Sequence, residues 1–595
     1  MPDKTDALRE TKLGATFCHS LYGINLALRQ RLRDGAKWSK RRLVTTNLGE
    51  GQSLDPDEAD RVFEAIVAAV ARGDRKRALH MAEAALRYLM DEPLVLLLAA
   101  ESLDEQGRAP EALSLLTRAS EIAPEQAEVW RRIGALMVRQ GRTRDALGAF
   151  EKALDIEPYS VATLLAAGEA SYRLGALSSA GDYFRRVAER APKEANAVAA
   201  LALIAARRQK TDDARALANR ALTLQPNLLT AEMALGRADL IEGLAEATRE
   251  RMTRLLHRPD LNDDTRVGVL DLRADALDIL DLRDEAFADY QSRNAILRSA
   301  NGPRIEREII ERRVDEAKRL TKYFARAPHD PWRASAGEDH VGARAASGHA
   351  FLVGFPRSGT TLLERVLAAH PGVATLSEVD HLAAVGRGFM ADAKGLDRLA
   401  QLTPPLADAA REIYWRSVAA TLGGNISSKV IIDKLPLHIT ALPTITKLFP
   451  RAKILFAMRD PRDVVFSCFR RRFQMNSAMY EFLDLKDAAT YYDAVMTLDR
   501  TYRARLPLTA REVRHETMVR NFEAEVREAL VFLGLEWDPA VERFAERLPV
   551  DAQTPSDVQL ARGINADGVG HWRRYAEHIA PVLPILEKWV SEFGY

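Results

Sequence analysis

Gly354-Phe355-Pro356-Arg357-Ser358-Gly359-Thr360-Thr361 is the stretch on which the fold of the C-terminal half turns. An apolar run over 350–353 precedes it and reads as a buried strand. Leu362-Leu363-Glu364-Arg365-Val366-Leu367 follows and reads as the first turns of a helix. A strand, a glycine-containing turn and a helix start make a phosphate cradle, because the N–H groups of the turn and the positive end of the helix dipole face the same anion. A Walker loop, G-x-x-x-x-G-K-[ST], would place lysine at position 360, where this chain has Thr360. The loop can hold a phosphate but lacks the cation that reaches the β- and γ-phosphates of ATP.

Outward from that loop, residues 348–595 alternate short β-rich runs with helical stretches. The runs are Phe351-Leu352-Val353, Val430-Ile431-Ile432 and Ile454-Leu455-Phe456-Ala457-Met458. The pattern predicts an α/β domain whose parallel sheet is covered by helices on both faces. Ligands of such sheets sit beyond the carboxyl ends of the strands. The Gly354 loop, Asp433-Lys434 and Arg459 each follow one of these runs. After Met458 comes Arg459-Asp460-Pro461-Arg462-Asp463-Val464-Val465-Phe466-Ser467. Asp460 or Asp463 is placed to cap the next helix, with Pro461 in its first turn. Arg459, Ser467 and Arg471 offer charged forks and a hydroxyl to an anion. An ATPase would be expected to place a Mg²⁺-binding aspartate at this strand end. Two anion-binding features without an obvious metal carboxylate point to a nucleotide held by two separate phosphates, with no metal.

The N-terminal half has another texture. Residues 59–300 are rich in Ala, Leu and Arg with helical periodicity, and they repeat. Ala112, Ala146, Ala180 and Ala214 are 34 apart, as are Pro124, Pro158, Pro192 and Pro226. The best copy carries Trp130, Gly134, Ala146, Phe150, Ala153 and Pro158. Small residues at Gly134 and Ala146 let two helices approach, Phe150 fills the space between them, and Pro158 stops the second helix. One such hairpin cannot bury its apolar face alone, so the copies are expected to stack into a solenoid. The register is clear to about residue 228 and degrades beyond Gly236, with Ala286 and Tyr290 reading as a displaced last copy. Residues 1–58 read as an arm or cap, and 301–347 as a helical linker with a charged helix at its start.

Composition narrows the function. Lys+Arg of 85 against Asp+Glu of 84 gives no basic excess for nucleic acid. The two cysteines, Cys18 and Cys468, make neither a disulfide framework nor a zinc site and fit a reducing compartment. No apolar run approaches the ~18 residues of a membrane span, and no leader pattern stands out, so a cytoplasmic location is expected.

A 34-residue period with this Trp/Gly/Ala/Phe/Ala/Pro spacing resembles the tetratricopeptide repeat. The 354–361 loop together with the Arg459 to Ser467 segment resembles the sulfotransferases that use 3′-phosphoadenosine-5′-phosphosulfate, in particular the tyrosylprotein sulfotransferases. Val569-Gly570-His571-Trp572-Arg573-Arg574-Tyr575 is similar to a C-terminal block of bacterial proteins that join the repeats to a sulfotransferase. The resemblance implies an all-α solenoid followed by a P-loop-like α/β sulfotransferase domain. It implies that Arg357, Ser358, Gly359, Thr360 and Thr361 surround the 5′-phosphosulfate, and that Arg459, Ser467 and Arg471 hold the 3′-phosphate. Ser556 falls near a further nucleotide contact. Glu378 matches the catalytic base, and Lys434 matches the lysine that steadies the leaving oxygen, with Arg357 beside it. Lys434 stands where small-molecule enzymes of the family carry a catalytic histidine, so the base role falls to Glu378, with His381 in reserve. His515 stands where relatives often have tyrosine, and His571 where an Arg or Lys is usual. Arg562 is one position out of register, so contacts of His571 and Arg562 with the nucleotide stay open.

The implied reaction is in-line displacement at sulfur. A carboxylate can take the acceptor's proton, and positioned donors can stabilise the charge on the leaving oxygen. The acceptor is a hydroxyl or phenol: a peptide tyrosine, a sugar hydroxyl, a lipid and a small phenol all remain open. The repeats would select the acceptor or a protein partner. Two other readings compete: an ATP-dependent kinase on the same kind of loop, and a non-catalytic repeat scaffold.

Overall fold

The computed structural model describes residues 56–86, 91–308, 311–333, 346–423, 428–547, 564, 566 and 568–595. The expected arm falls outside them up to residue 55, as do Ser556 and Arg562. The chain divides into two compact units, residues 1–205 with 212–231 and residues 206–211 with 232–595. The division falls inside the stretch read as the solenoid.

The first unit is a succession of helical hairpins, among them Pro93–Glu105 with Ala109–Ile122, Ala127–Arg139 with Thr143–Ile156, and Val161–Arg173 with Leu177–Arg190. The repeating prolines mark the stops: Pro124, Pro158 and Pro192 each fall two residues beyond a helix end at Ile122, Ile156 and Arg190. Ala146 and Phe150 of one hairpin, Leu164, Ala180 and Phe184 of the next, and Ile204 of the helix after it are buried in one cluster, so successive copies share a core. A Cβ on Gly134 would lie 2.5 Å from a ring carbon of Phe150, whereas one on Gly148, in the facing helix, would meet nothing within 4 Å. Opposite signs should follow. Gly148→Ala should stabilise by up to about 1 kcal/mol through helix propensity, and Gly134→Ala should destabilise by about 1–3 kcal/mol through overpacking. Thermal unfolding of the two variants decides it; equal shifts would mean that the Phe150 contact is slack.

The second unit opens with helices that continue the pattern, Ala245–Leu256, Asp263–Ile279 and Arg283–Glu308. Ala286 and Tyr290 are buried there. Within 301–347, read as a helical linker with a charged helix at its start, part of the described chain packs into a core. The helix Arg313–Arg326 buries Val314, Ala317, Leu320 and Phe324, and Trp332 follows them into the same core as the sheet. The charged positions that dominate its composition lie on the opposite face, which is why the stripe is hard to see.

Among the described residues, five parallel strands form the sheet, β1 (Gly348–Gly354), β2 (Val373–Ser377), β3 (Val430–Lys434), β4 (Lys453–Met458) and β5 (Thr509–Arg514), in the order β2-β3-β1-β4-β5. Alternate residues of β1 serve opposite faces. Phe351 and Val353 pack with Ile431, Phe456 and the helices Pro404–Thr421 and Leu485–Arg505. Ala350 and Leu352 pack with Ile432, Leu455 and the helices Thr360–Ala368 and Phe522–Leu533. Both faces are covered, which explains why the central strands read as continuous apolar runs. The edge strands escape that signature: β5 exposes Thr509, Ala510 and Glu512, and β2 leaves Ala374 and Thr375 half-buried and Ser377 exposed.

Candidate active site

Because all strands run the same way, their carboxyl ends share one edge, and each supplies a side chain or loop there. β1 runs into the 355–359 turn, and Thr360 begins the next helix. Gly359 has φ +97°, and a Cβ there would come within 2.8 Å of the His515 ring. Glycine is thus required both by the backbone and by the imidazole that follows β5. Arg357 also sits at positive φ, 72°, which is strained for an L residue and is found where the surroundings hold it. Its Nε donates to Ser467 Oγ at 3.0 Å. Ser358 Oγ donates back to Phe355 O at 2.6 Å, fixing the turn.

β4 runs into Arg459, which donates to Arg357 O at 3.2 Å and to Gly568 O. Asp460 is the cap of the helix Pro461–Arg470, accepting from Arg462 N at 2.9 Å. Asp463 instead accepts from Gly570 N at 2.6 Å and Trp572 N at 2.9 Å, tying the 569–575 block to this helix. Arg357, Arg459, Asp463, Phe466, Ser467, Arg470, Gly568 and His571 line a cavity of about 30 Å³. That is room for a few water-sized groups or one tetrahedral oxyanion. Three guanidiniums face one carboxylate. Burial, followed by the fields of Arg471 and Arg459, pushes Arg357 down to about 9. Burial, with Arg459 and Arg357, pushes His515 down to about 3, so its ring is neutral near pH 7. A bound oxyanion would offset the mutual repulsion of the guanidiniums. Arg471, expected in this group, is outside the cavity lining and donates to Asp275 Oδ1 at 3.2 Å.

The third group lies at the ends of β2 and β3. Glu378 follows β2 at φ 54°, and its N–H donates to Lys434 O at 2.9 Å. Lys434 Nζ is fully buried and lies 2.7 Å from Glu378 Oε1 and 3.1 Å from Glu364 Oε2. Sequence reasoning brought Glu378 and Lys434 forward but passed over Glu364, which is fully buried and also accepts from Ser377 Oγ at 3.3 Å. Its signal was a carboxylate inside an apolar helical run, one turn after Thr360. Glu378 alone of the three reaches solvent, its side chain about half exposed. Beneath them, burial raises Asp433 to about 6 although His438 and the Tyr414 hydroxyl, 2.9 Å away, oppose it. The neighbouring histidines have structural partners. His370 bonds with Glu536 O and Gly372 N, His438 Nε2 lies 3.3 Å from Asp380, and His381 Nδ1 lies 2.8 Å from Ser417 Oγ.

A model of the sulfotransferase family matches residues 350–539, and tetratricopeptide repeat models match 69–136, 137–204 and 182–228. An uncharacterized protein of Aquifex aeolicus is 26% identical over 248 residues, 40% of this chain and 32% of that protein. The chain therefore spans about a third of that relative's length. Protein-tyrosine sulfotransferase 1 of Danio rerio is 25% identical over 40% of this chain and 71% of its own length, and its Homo sapiens counterpart is 23% identical over 41% and 69%. Among solved structures, a tetratricopeptide repeat protein of Parabacteroides merdae is 18% identical, with a TM-score of 0.34 over 40% of this chain and 93% of its own. Among the described residues no helix is long and apolar enough to cross a membrane.

Proposed function

We propose, for a chain that carries a sulfotransferase-family domain behind tetratricopeptide repeats, that this domain moves a sulfuryl group from 3′-phosphoadenosine-5′-phosphosulfate to a hydroxyl or phenol acceptor. The observation that carries the reading is the placement of three groups on one sheet edge: a helix-start loop, a guanidinium-lined cavity, and a lysine paired with a carboxylate at 2.7 Å. The loop 357–361 would take the 5′-phosphosulfate, with its amides and Arg357 as donors. The cavity of Arg459 and Ser467 would take the 3′-phosphate, with the guanidiniums and hydroxyl as donors. Separate grips on two phosphates fit an adenosine bisphosphate better than a triphosphate.

In the reaction, the acceptor oxygen bonds to sulfur as the bond from sulfur to the bridging phosphate oxygen breaks. Glu378 receives the acceptor's proton, and the electron pair of the broken bond stays on the phosphate. Lys434, Arg357 and the loop amides hold that charge, the usual role of donors placed where charge develops. Glu378 is suited to the base role because, unlike the buried Lys434 and Glu364, it reaches solvent, where an acceptor would approach. The relatives' names favour a tyrosine in a peptide as acceptor. The repeats suit selection of an acceptor or a protein partner along a stacked-helix surface. Ser556 is proposed as a further nucleotide contact from resemblance alone.

The test is ligand-dependent unfolding. Adenosine 3′,5′-bisphosphate at about 100 times its dissociation constant should add about 2.7 kcal/mol of stability, without Mg²⁺. No shift with the bisphosphate would sink this reading, and a shift requiring ATP and Mg²⁺ would replace it with a kinase. Labelled phosphosulfate donor tried against a panel of phenol, peptide and sugar acceptors then identifies what is sulfated.

A further inference from the structure

One carboxylate behind the cavity comes from neither the loop nor the sheet. Asp278 lies in the helix Asp263–Ile279, almost 200 residues before the segment it meets. Arg470 Nη1 donates to its Oδ2 at 2.6 Å, and His571 Nε2 lies 3.2 Å from the same oxygen. Tyr575 donates to Oδ1 at 2.8 Å, and Arg574 Nη2 donates to its carbonyl at 2.5 Å. Arg470 and His571 both line the cavity, and Asp278 does not. The imidazole also stacks on Phe466, with ring centroids 5.8 Å apart, on the helix that carries Ser467. The next helix of the hairpin acts on the same segment from its end. Arg293, fully buried, donates to Phe469 O and Arg470 O at 3.1 Å each, and Asn294 donates to Phe469 O at 3.0 Å. These are the carbonyls a helix leaves unpaired at its C-terminus, where a cation is favoured.

We propose that Asp278 is a positioning residue for the phosphate cavity. It holds Arg470 and His571 at the cavity wall, so the helical hairpin ahead of the sheet helps set the selectivity for a nucleotide bearing a 3′-phosphate. The physical need is repulsion. Arg470 stands beside Arg357, Arg459 and Arg471, and a long cationic side chain in such company turns toward water unless an anion holds it. Asp278 supplies that anion from outside the cavity, leaving the cavity side of the group for the ligand. Burial opposes its charge, but hydrogen bonding with His571 and the field of Arg470 keep its carboxyl below the ordinary range. The proposal rests on the reading of the cavity as the 3′-phosphate site.

Calorimetry on the full chain separates the two claims. Wild type should bind adenosine 3′,5′-bisphosphate more tightly than adenosine 5′-monophosphate. Asp278→Asn should lose about tenfold or more in bisphosphate affinity, the weight of a lost charge-assisted contact, with monophosphate affinity unchanged. Tyr575→Phe, which removes one restraint on Asp278 with little change of shape, should lower the same preference by a smaller factor. A wild type without preference sinks the reading of the cavity and this inference with it. A normal wild-type preference with equal losses for both nucleotides in Asp278→Asn overturns the inference alone. So does an unfolded Asp278→Asn accompanied by an unchanged preference in Tyr575→Phe.

Discussion

Glu378→Gln should lower turnover by a factor of about 10²–10⁴, the range for a positioned general base, with bisphosphate affinity unchanged. The amide keeps the size of the side chain and a hydrogen bond to Lys434, now 2.7 Å from Glu378 Oε1, but cannot receive a proton. Because Glu378 stands at the end of β2, apart from the cavity that Arg459 and Ser467 line, the two functions should separate cleanly. Single-turnover assays with labelled donor, set beside calorimetry, give the split. Near-normal turnover would remove Glu378 from the chemistry and turn attention to His381, which is held below its ordinary pKa by burial and His438.

Lys434→Met should be the more damaging change, because it has two consequences. It removes the cation proposed to receive the leaving oxygen, a loss of about 10²–10³ in turnover. It also leaves Glu364 buried without its counter-ion, which costs about 3–5 kcal/mol of stability. A double variant, Lys434→Met with Glu364→Gln, separates these effects. Removing the stranded charge should restore much of the stability and none of the turnover. If the double variant recovered turnover as well, Lys434 would be a structural counter-ion only, and the leaving oxygen would depend on Arg357 and the loop amides.

The legible parts of this chain were those whose cause is local. Four prolines at one step fix helix ends because a missing N–H acts within a turn, and Gly134 with Phe150 marks a helix contact 16 residues apart. The turn at Gly359 was readable because strand, glycine and helix start are contiguous. Three of the five strands were visible because burial on both faces makes them apolar throughout. β2 and β5, at the edges, lack that signature. Asp463 looked like a helix cap but binds the amides of Gly570 and Trp572, more than 100 residues later. Asp278, Arg293 and Glu364 went unnoticed for a related reason. A charge in a helix reads as a solvated face until the partner that buries it is known, and for Asp278 and Arg293 that partner lies in a distant segment.

The caps that Arg293 and Asn294 place on Phe469 and Arg470 bear on how the molecule should be dissected. A fragment beginning at residue 301, where a linker would suggest cutting, discards the donors that finish the helix Pro461–Arg470 together with the aspartate that holds Arg470. Dissection ahead of the helix Leu229–Ile241, close to the boundary between the two units, keeps them, and it is there that a minimal expression fragment of the C-terminal half should start.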